Sequence, residues 1–109
     1  MDQESFNYEI LQCVTKGLDA FGPSVKQTVY WQLLVVYNLK PSDIVNFPET
    51  FVKALENMFG AGAVAIERAI TLEFKSNFQV KSSLPVRFIP ALKEIEKQLA
   101  ILEQYTVRD

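Results

Sequence analysis

The sequence predicts an all-α fold, a compact bundle of about five helices formed by a single domain over residues 1–109. In several stretches, apolar residues recur at intervals of three and four, which is the spacing of one helix face. Glycine and proline separate these stretches. The chain is 49% hydrophobic and 22% charged, which is typical of a folded domain with one core.

The first helix is predicted over residues 5–20. Its apolar stripe repeats every four residues at Phe6, Ile10, Val14 and Leu18. Ser5 is a candidate cap for its start. Gly17 lies inside the pattern and costs about 1 kcal/mol relative to alanine, so it indicates either close approach of a neighbouring helix or early fraying.

The second helix is predicted over residues 23–38 and at the centre of the bundle. Residues 24–37, SVKQTVYWQLLVVY, are apolar on most of a helix circumference and therefore need partners on several sides. The same stretch also alternates as a strand would, but 14 residues are long for a strand, and Pro23 suits a first helical turn.

Three further helices are predicted over residues 48–59, 62–78 and 90–105. Residues 39–47 are apolar enough to fold back as a short turn over one end of the bundle. Prolines 85 and 90 favour a fifth helix from Pro90, a single kinked helix from residue 85 being the alternative. The Gly60–Gly62 turn is interpreted as a tight helix corner, with anion binding there left open.

Composition argues against several classes of partner. A net charge of −2 gives no general attraction to nucleic acid or to an anionic membrane, and no apolar run reaches the roughly 20 residues of a membrane span. The single cysteine and the acidic first residues favour a reduced, cytoplasmic setting without a signal peptide. The protein is therefore expected to stay off membranes.

We expect no catalytic, cofactor-binding or metal-binding residues, and no enzyme. The chain has no histidine to serve as a base or zinc ligand, so Cys13 is interpreted as a small buried hydrophobe. Glu67 and Glu73 point about 120° apart on one helix and are interpreted as part of a solvated face.

The last helix is predicted to mediate a two-fold homodimer. Apolar residues form a seam along it and a second edge that one core contact would not easily cover. The possible interface residues are Phe88, Leu92, Ile95, Leu99, Ile101, Leu102 and Tyr105. The competing interpretation is that this helix closes its own bundle.

The favoured function is a non-catalytic interaction or regulatory module that binds itself or another protein. The alternative is a sensor whose aromatic residues line a cavity for a small apolar ligand. The cavity residues would be Tyr30, Trp31, Tyr37, Phe59 and Phe74. Nucleic-acid binding is less favoured because acidic residues 94 and 96 dilute the basic residues of the C-terminal third, which are Lys75, Lys81, Arg87, Lys93 and Lys97.

Residues 21–75 carry a pattern of apolar corners and glycines: Phe21-Gly22-Pro23-Ser24-Val25, Val29-Tyr30-Trp31-Gln32-Leu33, Pro48-Glu49-x-Phe51 with Leu55, and Phe59-Gly60-x-Gly62-Ala63 with Ile66-Glu67. This pattern resembles the small archaeal helical domains known as Nitrosopumilus output (NitrOD) domains. The resemblance implies an all-helical module of the kind attached to signalling or regulatory proteins, with no catalytic residues. The stand-alone length of this chain departs from that of a fused output module.

Overall fold

The computed structural model describes residues 1–80 and 83–107, with side chains as far as Ala100. Its described residues contain helices and no strands, so the all-α prediction is confirmed. The helices are α1 (Gln3–Asp19), α2 (Pro23–Tyr37), α3 (Pro48–Phe59), α4 (Ala63–Phe78) and α5 (Phe88–Val107), with short 3₁₀ turns at Pro41–Asp43 and Gly60–Gly62. Each boundary lies within two residues of its prediction.

Helix α4 occupies the centre of the bundle. It packs against α1, α3 and α5, and its contact with α1 is the most extensive in the molecule. Gly17 makes this contact possible, because a Cβ atom at that position would lie 2.6 Å from Ile70 Cγ1 and 2.8 Å from Ile70 Cα. Gly17 therefore permits a close helix approach, and of the two interpretations of this glycine the first is confirmed.

Helix α2 lies at the edge of the bundle, so its predicted central position is wrong. It contacts α1, α3 and the first 3₁₀ turn, and it buries only Val29 and Leu33 completely. The physical reason is that the buried stripes of the other four helices already cover one another around α4. The apolar content of α2 exceeds what the core has room for.

The helix ends depend on local chemistry that the sequence indicated only in part. Asp2, not Ser5, caps α1, and its carboxylate accepts a hydrogen bond of 2.7 Å from the Ser5 backbone N–H. This hydrogen bond lowers the pKa of Asp2. After α2, the chain turns back as predicted and buries Ile44. Phe47, in the same apolar stretch, is 54% exposed, so its expected burial is wrong.

Helix α5 begins at Phe88, two residues before the predicted start, because α4 anchors its first turn. The carboxylate of Glu67 accepts a hydrogen bond of 2.8 Å from the Phe88 backbone N–H and satisfies a donor that the helix itself leaves free. The Thr71 hydroxyl lies 3.2 Å from the Val86 carbonyl oxygen, to which it donates. Pro90 then falls within the first turn, where its missing N–H costs nothing.

No helix among the described residues is both long enough and apolar enough to cross a membrane.

Candidate interaction surface

One face of α2 is fully turned to solvent. We call it the α2 outer face and define it by the exposed residues Ser24, Gln27, Thr28, Trp31, Leu34, Val35 and Asn38. These residues follow one another at steps of three and one, the spacing of a single stripe along a helix. The helix therefore carries two stripes, one packed against the bundle and one facing outward.

The C-terminal half of the α2 outer face is strongly apolar. Trp31 is 60% exposed, Leu34 50% and Val35 58%, and Val36 beside them is 59% exposed. Single exposed apolar side chains are ordinary on a protein surface, whereas a contiguous group of this kind typically marks a contact with another molecule. Among the described helices, α2 carries the clearest exposed apolar group of this kind, formed by Trp31, Leu34 and Val35.

The α2 outer face carries no charge. Lys26 is the one charged residue in Pro23–Tyr37, and it is only half-exposed beside the stripe, where its Nζ lies 2.9 Å from Asp19 Oδ1. Since 22% of the whole chain is charged, an uncharged stripe of seven exposed residues is distinctive. It offers no cation to a phosphate group of a nucleic acid or lipid.

Side-chain hydrogen bonds fix α2 in position on the bundle. The Tyr30 and Thr15 hydroxyl oxygens lie 2.7 Å apart and join α2 to α1, and burial raises the pKa of Tyr30. Asn57 Nδ2 donates to the Tyr37 hydroxyl oxygen at 2.6 Å and joins α2 to α3. The outer face is thus presented on a helix held at two turns rather than on a mobile segment.

The residues proposed for an interface on α5 are placed differently. Phe88, Leu92 and Ile95 are buried in the core of their own chain, and Leu99 packs half-buried against that core. In this conformation the first three are not accessible to a second chain, because their stripe closes the bundle. The side chains of Ile101, Leu102 and Tyr105 lie outside the described residues.

The aromatic residues proposed for a ligand cavity do not come together at one place. Trp31 lies on the outer face of α2, beside an open depression lined by Gln27, Thr28 and Gln32. Phe74 is completely buried, with its ring centroid 5.6 Å from that of Phe88. The other three are half-buried at the edge of the core: Tyr30, Tyr37 and Phe59.

Glu67 is buried and is not part of a solvated face, so that interpretation of its position is wrong. Its side chain is 1% exposed, and its two carboxylate oxygens accept three hydrogen bonds from the Arg87 guanidinium at 2.9–3.2 Å. This pairing raises the pKa of Arg87, and Glu56 adds to the effect from 3.5 Å. Every partner of Glu67 is structural, and its role is to fix the start of α5.

Cys13 is completely buried, as expected of a small core residue. Burial, followed by the nearby carboxylates of Glu73 and Glu9, raises the pKa of its thiol to about 12. A thiol with so high a pKa remains protonated near neutral pH and is a poor nucleophile. Within the described chain, no three acidic, cysteine or histidine residues are grouped to hold a metal ion.

The basic residues of the C-terminal third lie on α4, on α5 and in the segment between them. Arg87 is engaged by Glu67, whereas Lys75, Lys93 and Lys97 are exposed on two different helices. Lys81 lies outside the described residues. The Gly60–Gly62 turn leads into α4 as a tight corner, with no further feature that points to an anion.

Comparison of the chain with protein-family models, with curated proteins and with solved structures gave no match. The resemblance to NitrOD domains therefore stays a prediction.

Proposed function

We propose that this protein is a non-catalytic helical interaction module, of the kind used in regulation, that associates with a second copy of itself. The observation that carries the proposal is the α2 outer face, an apolar and uncharged stripe on a fixed helix. Such a face favours contact with another protein surface over contact with water, because burying apolar area is the main favourable term in protein association.

The chemistry of the α2 outer face favours a protein partner over a lipid or nucleic-acid partner. Peripheral membrane helices combine an apolar face with basic residues, and nucleic-acid sites depend on clustered cations. The α2 outer face has no basic residue, and the whole chain carries a net negative charge.

Light scattering across a range of protein concentrations tests the proposed self-association directly. We expect the mass to rise from that of one chain toward that of two as the concentration rises from low micromolar to near millimolar. Trp31 supplies an independent signal, since it is the only tryptophan of the chain. Its emission should shift to shorter wavelength and its quenching by acrylamide should weaken over the same range.

A mass that stays at one chain throughout the range would overturn the proposed self-association. If the mass reaches that of two chains while acrylamide still quenches Trp31 freely, the self-association stands but the contact lies elsewhere on the molecule.

A further inference from the structure

Helix α5 is attached to the bundle near one end. The helices that it packs against are α3 and α4. Its fully buried side chains all fall between residues 88 and 95: Phe88, Ala91, Leu92 and Ile95. Further along α5, Leu99 is half-buried and Ala100 is exposed. The described part of α5 therefore depends on its first two turns for its place in the core.

A group of polar contacts, which we call the clasp, holds the attached end of α5 to α4. Glu67 accepts hydrogen bonds from the Arg87 guanidinium and, at 2.8 Å, from the Phe88 backbone N–H. Thr71 donates to the Val86 carbonyl oxygen at 3.2 Å. Because the clasp joins α4 to three consecutive residues, 86–88, its contacts form and break together.

The chemistry of the clasp fixes one closed position but resists opening weakly for its size. A buried carboxylate is stable only while its partners are in place, and Glu67 is 1% exposed. When the clasp opens, Glu67 and Arg87 both return to water, and their hydration offsets part of the lost attraction. An apolar contact of the same size gains nothing comparable on opening.

The other four helices are held together by contacts that do not involve α5. The most extensive contact in the molecule joins α1 to α4, with Gly17 against Ile70. Helix α2 is fixed to α1 through Tyr30 and to α3 through Tyr37. Helices α1 to α4 therefore keep a core of their own when α5 is displaced.

We infer that α5 opens from α3 and α4 as one unit while α1 to α4 stay folded, and that the clasp controls this opening. Proteins commonly open in such cooperative units before they unfold as a whole. Opening exposes Phe51 and Phe74, whose rings pack against Phe88 in the closed form, together with the carboxylate of Glu67. The surface that it uncovers is separate from the α2 outer face, so the inference does not depend on self-association.

Amide hydrogen exchange of the wild-type protein, followed by NMR, tests the opening. We expect amides 92–95 of α5 to exchange roughly 100-fold faster than amides 10–14 of α1 and 67–70 of α4. Amides 92–95 lie in the buried turns of α5, so fraying of its C-terminal end does not account for the difference. Their exchange should also depend less on urea, because opening exposes only part of the core.

Gly17→Ala separates opening of α5 from unfolding of the whole chain. The contact between Gly17 and Ile70 is present in both the closed and the open form, and only complete unfolding breaks it. The overlap that alanine introduces should speed exchange in α1 and α4 roughly 30-fold. Exchange of amides 92–95 should change by less than about 2-fold, because the substitution affects the closed and open forms equally.

Arg87→Gln tests the clasp. Loss of hydrogen bonds to a buried carboxylate should speed exchange of amides 92–95 by roughly 10-fold or more. Lys93→Gln is the matched control, since it removes an exposed positive charge from α5 itself. The control should change the same exchange rates by less than about 2-fold.

Three results would overturn the inference. Equal exchange rates in α5, α1 and α4 of the wild type would mean that α5 opens only with the whole chain, as would an equal acceleration of all three helices by Gly17→Ala. Exchange of amides 92–95 that is the same in Arg87→Gln as in Lys93→Gln would overturn control by the clasp. Because none of these measurements involves a second chain, the proposed self-association stands or fails separately by light scattering.

Discussion

Replacing Gly17 with alanine tests the packing of α1 against the central helix. The added Cβ would lie 2.6 Å from Ile70 Cγ1, 2.8 Å from Ile70 Cα and 2.9 Å from Ile70 N. Two of these three atoms belong to the backbone, so no rotation of the Ile70 side chain relieves the overlap. The two helices have to move apart along the largest contact in the molecule.

Two effects of opposite sign determine the size of the change. Alanine favours the helical backbone over glycine by about 1 kcal/mol. Overpacking of a tight core typically costs about 1–3 kcal/mol, and the upper end applies here because rigid backbone atoms are met. We expect Gly17→Ala to lower the free energy of unfolding by about 2 kcal/mol and the melting temperature by roughly 10 °C.

Gly62→Ala is the matched control for this experiment. Gly62 has a helical φ of −66°, and the nearest atom to an added Cβ is Phe59 Cβ at 3.7 Å, an ordinary contact. Alanine there should stabilise the protein by about 0.4–1 kcal/mol, because it restricts the unfolded chain without strain. Urea denaturation followed by circular dichroism gives both values, and a Gly17→Ala protein as stable as the wild type would refute the close contact.

Three further measurements follow from the structure. Glu67→Gln should lower the free energy of unfolding by about 1–3 kcal/mol, because the amide cannot satisfy all the donors that now point at the carboxylate. Glu56→Gln is the control: the Glu56 side chain is 53% exposed, so this change should alter the free energy of unfolding by less than about 0.5 kcal/mol. Equal effects in the two variants would mean that the Glu67 cap is unimportant. The Cys13 thiol should resist a disulfide reagent near pH 8 and react once urea unfolds the chain, since its folded pKa of about 12 lies above the ordinary value of 9.0. The folded thiol keeps its proton to a higher pH than the unfolded thiol, so its contribution to stability is complete below about pH 9 and is lost as the pH rises toward 12. Rapid labelling of the native protein would contradict the burial of Cys13.

The helices and their order were predictable because they depend on local information. The four-residue spacing of Phe6, Ile10, Val14 and Leu18 describes one face of α1, and all four side chains are buried. Proline at the start of α2 and α3 and Gly60 after α3 mark boundaries that the structure keeps. Such signals act over a few residues and do not depend on distant contacts.

The role of Glu67 was beyond the reach of the sequence. Helical periodicity places Glu67 within the buried stripe of α4, three residues before Ile70 and seven before Phe74, but a carboxylate is rarely buried unless it is paired. It is buried because Arg87 and the Phe88 N–H, 20 and 21 residues further along, provide donors at that point. A pairing between distant segments leaves no periodic signal in either one.

The sequence by itself determined that residues 24–37 are a helix with more apolar surface than one contact can cover. Only the tertiary structure decided which part of that surface is left over. Gly17 lets α1 and α4 approach closely, so that α4 becomes the centre and α2 packs at the edge through Val29 and Leu33. The hydrophobicity of a helix determines how much apolar area it tends to bury. The number of neighbouring helices within reach determines how much of that area is actually buried. For α2, the apolar area left unburied is the exposed face around Trp31.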